Sequence, residues 1–301
     1  AGAGRLVAIE GRAGIGKSRL LQEARVIAGE ASLTVLTARG GELEQDFAYG
    51  VVRQLFEPVL AAASSDERSE LLDGPAELAA TLFGKVESTL DDDADVSFGV
   101  LHGLYWLAAN LALRRPALIL IDDLHWSDGP SLRWLTHLQR RLDGLPLLVV
   151  VGTRPPDQSQ MEIRLTEILG DPGASIVRPS ALSWESAAVL TREQYGRDPH
   201  EAFVDACWSA TRGNPLLLQA LLDTLRREEI EPTADNAEAV LEIGPEPVTR
   251  AVSLRLARLP AEARLLARAV AVLGGRTELR HAAALADLDM GLASHTATTL
   301  A

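Results

Sequence analysis

The sequence predicts a three-layer α/β/α fold built on a five-stranded parallel sheet, and three observations predict it. Short, nearly continuous apolar runs recur at residues 5–10, 33–37, 117–122, 147–153 and 175–178. Stretches with an apolar period of three to four separate them, and a glycine-rich loop follows the first run at once. Runs that are apolar on both faces and alternate with helices suit a parallel sheet covered on both sides.

The first run, Leu6-Val7-Ala8-Ile9, leads into Gly11-Arg12-Ala13-Gly14-Ile15-Gly16-Lys17-Ser18, which fits G-x-x-x-x-G-K-[ST]. An amphipathic stretch from Arg19 through Leu20, Leu21 and Ala24 follows. Strand, loop and helix are the context in which this pattern cradles the phosphates of a nucleoside triphosphate. Gly11, Gly14 and Gly16 let the chain curl so that main-chain amides converge on an anion, and the start of the helix adds its dipole. Contacts are expected from Gly11, Gly14, Ile15, Gly16, Lys17, Ser18 and Arg19. Lys17 reaches the β- and γ-phosphates as a point charge, and the Ser18 hydroxyl takes a place on Mg²⁺.

After the second strand an insertion spans residues 41–115, with helices expected at 51–62, 75–86 and 98–113. Asp91-Asp92-Asp93 with Asp95 reads as a solvated link, because consecutive carboxylates cannot face one ion as spaced ligands do. The third strand ends Leu118-Ile119-Leu120-Ile121-Asp122-Asp123, delivering two carboxylates to the C-terminal edge where ligands sit in open parallel sheets. Asp122 is assigned to the Mg²⁺ shell and Asp123 to orienting or deprotonating water. Neighbouring strand residues point to opposite faces, so the two acids share a role only if the strand bends. His125 reads as a packing or hydrogen-bonding residue and Trp126 as core. Asp128 with Ser131 suits the start of a helix carrying Leu132, Leu135 and Leu138. The fourth strand delivers Thr153 and Arg154 to the same edge, ahead of Pro155-Pro156, and Arg154 is the expected γ-phosphate sensor.

Beyond residue 183 the pattern is helical, at 184–195, 199–211, 215–229, 247–258 and 261–273. Pro215, after Gly213-Asn214, starts one of these helices. The segment 229–247, rich in Glu, Pro, Asn and Asp, reads as a hinge. Leu254, Leu256, Leu259, Leu265, Leu266, Val270 and Val272 are the expected core face of the last unit. Three domains result: a core over 1–182, a helical lid over 183–232 and an incomplete helical unit over 245–301.

Composition narrows the function. With 29 basic against 42 acidic residues the formal charge is -13, which opposes binding to DNA or to an anionic membrane. Cys207 is the single cysteine, so no internal disulfide forms, and its apolar surroundings mark it as a buried filler. No apolar run approaches the ~20 residues of a bilayer span, and no signal peptide precedes the loop, so a cytoplasmic setting is expected. The chain opens and closes within its patterns, as a module of something longer does.

Taken together, Gly11 to Ser18, the string Leu-Ile-Leu-Ile-Asp-Asp-Leu-His-Trp-Ser-Asp ending at Asp128, Val151 to Arg154 and Gly213 to Pro215 resemble the STAND branch of AAA+-related P-loop NTPases. More narrowly, they are similar to the ATPase module of large ATP-binding LuxR-family regulators of the maltose-regulator type. Ala38 to Phe47 and Val51 to Phe56 share the likeness. The resemblance implies a switch that holds ADP when closed, self-associates with ATP and an inducer, and resets by slow Mg²⁺-dependent hydrolysis. It places Lys17, Ser18, Asp122, Asp123 and Arg154 at functional positions and Pro215 on the adenine side, and it implies that the incomplete unit over 245–301 is winged-helix-like. The inducer is expected to act through a C-terminal region outside these residues. An active AAA+ remodeller or loader stays open as an alternative, and so does the same module fused to a cyclase or kinase. No finger arginine is assignable, and Arg140, Arg141 and Arg164 are candidates by charge and position alone.

Overall fold

The computed structural model describes residues 4–84, 94–155, 160–243, 259–273 and 277–300 of the chain. The expected helix at 247–258 with Leu254 and Leu256, the run Asp91 to Asp93, and Pro156 lie outside the described residues. The chain divides into two compact units, Ala1–Ser180 and Ala181–Ala301.

The first unit holds β1 (Arg5–Glu10), β2 (Thr34–Arg39), β3 (Ala117–Asp122), β4 (Leu147–Thr153) and β5 (Ala174–Val177). They form one sheet in the order β2-β3-β4-β1-β5, and every pairing is parallel. Alternation along each strand sends side chains to two separate cores. Leu6, Ala8, Leu36, Ile119, Ile121, Val149 and Val151 face one of them. Val7, Ile9, Leu118, Leu120 and Val150 face the other, where Leu21, Ala24 and Ala28 of α1 (Lys17–Glu30) cover them. Both faces are therefore buried, as the continuous apolar runs require, and the expected α/β class is the one observed.

The insertion carries α2 (Gly50–Ala62), α3 (Ser65–Leu71), a 3-10 segment Gly74–Phe83 and α4 (Ala94–Arg114). An α-helix was expected where the 3-10 segment stands. Ala76, Ala79 and Leu82 are buried at a strict spacing of three, the period of the tighter helix. Gly103 on α4 lets that backbone approach closely, since a Cβ there would lie 2.5 Å from the Ala79 amide nitrogen. α3 was not expected, although Ser64 and Glu67 form a complete capping box before it.

After β3 come a 3-10 turn Leu124–Trp126, α5 (Gly129–Gln139) and, between β4 and β5, α6 (Gln160–Gly170). Asp128 is 2% exposed and caps α5 by accepting from the Ser131 amide at 2.8 Å. The same carboxylate accepts from Tyr49 and Val51 amides at 2.8 and 3.2 Å, so it also caps α2. Ser131 Oγ accepts from the next amide, Val52, at 3.3 Å. One buried acid thus satisfies orphan donors of two helices.

In the second unit, α7 (Trp184–Tyr195), α8 (Glu201–Thr211), α9 (Pro215–Arg227) and α10 (Ala237–Ile243) surround Phe203, Cys207, Leu218, Leu222 and Val240. Cys207 is fully buried and its thiol is pushed up to about 12 by desolvation, so it is the inert filler expected. Helix α10 stands within the stretch read as a hinge, because Val240 finds a place in this core. Asn214 caps α9 by accepting from Leu216 and Leu217 amides at 3.1 and 3.2 Å, with Pro215 at its first turn. Gly213, at φ +68°, is required there, since a Cβ would sit 2.3 Å from Leu182 O.

A separate cluster joins α11 (Ala261–Leu273), α12 (Leu279–Leu285) and α13 (Met290–Leu300) through Leu266, Ala269, Ala282 and Ala286. Leu266 and Val270 face it as expected, whereas Leu265 and Val272 are exposed. Those two lie seven residues apart on one stripe, displaced from the buried one by the helical period.

Asp128→Ala leaves three buried amides without a partner, and we expect it to lower unfolding stability by about 2–4 kcal/mol. Urea unfolding with unchanged stability would remove the double cap from consideration, and Asp128→Asn should recover part of the loss.

Candidate functional site

The C-terminal edge of the sheet brings together the loop after β1, the end of β3 and the end of β4. Two positive-φ glycines, Gly14 at φ +77° and Gly16 at φ +102°, shape the loop and aim it into the N-terminus of α1. A Cβ on Gly11 would lie 2.7 Å from Ile15 Cγ2, so Ile15 packs over the position that the first glycine leaves open.

Lys17 is 7% exposed, and its Nζ donates to Gly11 O at 2.8 Å and Arg12 O at 3.1 Å. The loop's own carbonyls thereby hold the ammonium beneath the curled backbone. Burial lowers the Lys17 pKa, opposed by Asp123, deepened by Arg154 and opposed again by Asp122. Ser18 Oγ donates to Asp122 Oδ2 at 2.7 Å, joining the start of α1 to the tip of β3. A hydroxyl and a carboxylate so close are the hard oxygen donors that Mg²⁺ takes alongside water and phosphate. The residues present therefore fit a magnesium-bound polyphosphate.

Asp123 leaves the strand at φ +50°, ψ +45°, a left-handed conformation that a short polar side chain tolerates. The strand thus bends where strict alternation would have separated the two acids, and both carboxylates act on Lys17. Gly40 makes room for the bend, because a Cβ there would lie 2.4 Å from Asp123 O. Asp122 Oδ1 accepts from the Asp123 amide at 2.9 Å and so fixes it.

The Asp123 carboxylate is held by Arg39, whose Nε and Nη2 donate to Oδ2 at 3.1 and 2.9 Å. Arg39 stands at the end of β2, and Gln54 brackets its backbone with bonds of 2.9 and 3.1 Å. The Arg39 pKa is raised by that hydrogen bond and by the charge of Asp123. Sequence reasoning noticed Arg39 only within a family-like string. Its partner lies 84 residues away, and only the β2–β3 pairing brings them together.

Arg154 follows β4, with its guanidinium 5.9 Å from the centre of the Trp126 ring. Trp126 is half-buried beneath it instead of in the core, because the 3-10 turn carries it along the sheet edge. His125 packs against Trp126 at 5.0 Å, and both of its buried ring nitrogens lack a hydrogen-bond partner among the described residues. Desolvation and then the charge of Arg154 lower its pKa to about 4, so the imidazole is neutral at pH 7. Arg19 is exposed and paired with Glu23 along α1, and Pro215 belongs to the second unit.

Residues 1–150 match the model of the AAA ATPase domain. This segment is an AAA ATPase domain. Its loop and paired acids are among the parts just described. An uncharacterized protein of Rhizobium meliloti (strain 1021) is 30% identical over 177 residues, which is 53% of this chain and 17% of that relative. The chain thus spans about a sixth of that protein's length. Among solved structures, a Walker-type ATPase of Pyrococcus abyssi is similar at a TM-score of 0.51 and 15% identity, over 89% of this chain and 75% of that one. The ORC2 protein of Aeropyrum pernix, in ADPNP and ADP complexes, gives a TM-score of 0.51 at 15% identity, over 91% and 70%. These likenesses are of fold. Among the described residues no helix is long and apolar enough to cross a membrane.

A histidine whose folded pKa is depressed binds fewer protons than in the unfolded chain. Stability therefore falls as pH drops from the ordinary 6.5 through about 4. We expect His125→Gln to flatten that decline in urea unfolding between these limits. An unchanged slope would show that the ring is not desolvated.

Proposed function

We propose that this chain is the nucleotide-operated switch of a larger regulator of the LuxR type. It binds ATP and ADP at the Gly11–Ser18 loop and hydrolyses ATP slowly with Mg²⁺. The observation that carries the reading is the state of the second acid. Asp123, the acid proposed to act on water, is held by the Arg39 fork, while Ser18 and Asp122, the proposed donors to Mg²⁺, are hydrogen-bonded to each other. The two donors take up the lone pairs with which Oδ2 of Asp123 would accept from a water.

When bound, magnesium supplies charge neutralisation at the phosphates. The chain's own residues do the rest. The loop amides and Lys17 hold the polyphosphate in one orientation, and Ser18 and Asp122 provide the donors for the ion. Arg154, at the sheet edge after β4, distinguishes a third phosphate from two. Asp123 accepts a proton from water once Arg39 turns away. The ATP-bound form self-associates, and a fragment this acidic leaves contact with DNA to other parts of the protein.

Lys17→Ala is expected to weaken Mg-ATP binding by on the order of 2 kcal/mol or more, through loss of a charge-assisted contact in a desolvated site. Equal affinities by isothermal titration would end the loop assignment. Arg154→Ala should narrow the gap between ATP and ADP affinities, and an equal loss for ADP would refute the sensor role. Arg39→Ala should raise the steady-state rate of phosphate release severalfold by freeing Asp123. If that rate falls instead, Arg39 positions the base and does not restrain it. The deciding measurement is phosphate release against protein concentration, with and without Mg²⁺. Slow release that is independent of concentration supports the switch, whereas fast release that climbs with concentration identifies an assembled remodelling enzyme.

A further inference from the structure

A groove of about 840 Å³ lies between α4, α5 and α6, within the range of roughly 300–1,000 Å³ typical of small-molecule sites. Arg133, Arg140 and Arg141 reach it from α5 and the turn after it, and Arg164 reaches it from α6. Among the described lining residues Glu167 is the one carboxylate, and none of the four arginines is in an ion pair with a described residue. In a chain of net charge -13, four guanidinium groups with no carboxylate partner among the described residues, one of them donating to His137 O at 3.0 Å, share one concavity against the global balance and repel one another. An anion resolves that repulsion.

Phe98 of α4 and His137 of α5 bring rings to the same groove. Phe98 is 60% exposed, edge-on to His137 at 5.9 Å and stacked with His102 at 6.4 Å and 7°. His137 Nε2 is buried and has no hydrogen-bond partner among the described residues. Burial and the neighbouring Arg141, His102 and Arg140 lower its pKa, so the ring contributes a neutral polar edge and leaves the charge to the arginines.

We propose that this groove is a second ligand site, taking a small organic phosphate that carries a planar ring, in the class of a nucleoside monophosphate. The guanidinium forks bind the phosphate, and the ring lies against the Phe98 ledge. A monophosphate brings up to about two charges at neutral pH, enough to compensate part of the cluster without the repulsion a polyanion would meet from the rest of the surface. The site is separate from the Gly11–Ser18 loop. Asp128 begins α5 beside the sheet edge and Arg140 ends it, so the helix sets its two ends about 17 Å apart.

Isothermal titration of the whole chain with AMP, adenosine and inorganic phosphate tests this. AMP should bind wild type and Lys17→Ala alike, and more tightly than either fragment alone. Arg140→Gln with Arg164→Gln should weaken AMP about tenfold or more. Phe98→Ala should weaken AMP while leaving inorganic phosphate unchanged. The arginines are not core residues, so thermal melting of the double variant should match wild type, and each single Gln variant should show the same trend if it does not. Loss of AMP binding in Lys17→Ala would assign the ligand to the phosphate loop. Unchanged affinity in the arginine variants, or no binding of AMP to either protein, would overturn the proposal.

Discussion

The bond between Asp122 and Ser18 is the constraint on which the first unit's chemistry depends. It spans 104 residues and joins the first turn of α1 to the tip of β3, two strands away from β1 in the sheet. Gly152 on the intervening β4 keeps the passage clear, since a Cβ there would come within 3.0 Å of Asp122 Oδ1. With that carboxylate in place, the loop, the buried Lys17 and the bend at Asp123 occupy one small volume. Without it, the start of the helix and the end of the strand would be positioned separately.

Two adjacent acids have different fates because the backbone turns between them. Asp122 is still part of the strand and faces α1, with one oxygen on Ser18 and the other on the next amide. Asp123, in a left-handed conformation, points to Arg39. The difference arises from Gly40, which lets Asp123 O approach, and from Gln54, which fixes the backbone of Arg39. Reactivity at this edge is therefore set by residues of β2 and α2 as well as by the acids themselves.

The strands were readable because burial on both faces leaves runs such as Leu118 to Ile121 with no polar interruption. The loop was readable because few sequences combine three glycines, a lysine and a hydroxyl between a strand and a helix. What could not be read depends on contacts far apart in the chain. The 3-10 form of Gly74–Phe83 follows from close packing on Gly103, and α10 follows from a vacancy for Val240 in a core built by earlier helices. Arg39 stands out only within a family-like string, for its partner is 84 residues away on the neighbouring strand. Trp126 reads as core in the sequence, whereas a one-turn 3-10 helix puts it under Arg154. α3 had a legible signal in Ser64 and Glu67, but the helix is too short for its apolar period to show.

Asp128 ends two helices with one side chain, and this links their motions. The first turns of α2 and α5 cannot fray independently, because releasing either strands the acceptor that the other shares. Amides of Val51, Val52 and Ser131 should therefore open in a single cooperative event, making the junction a common foldon between the insertion and the sheet. A strain introduced at the sheet edge would reach the insertion as a change in that shared opening, with no displacement of the helices themselves.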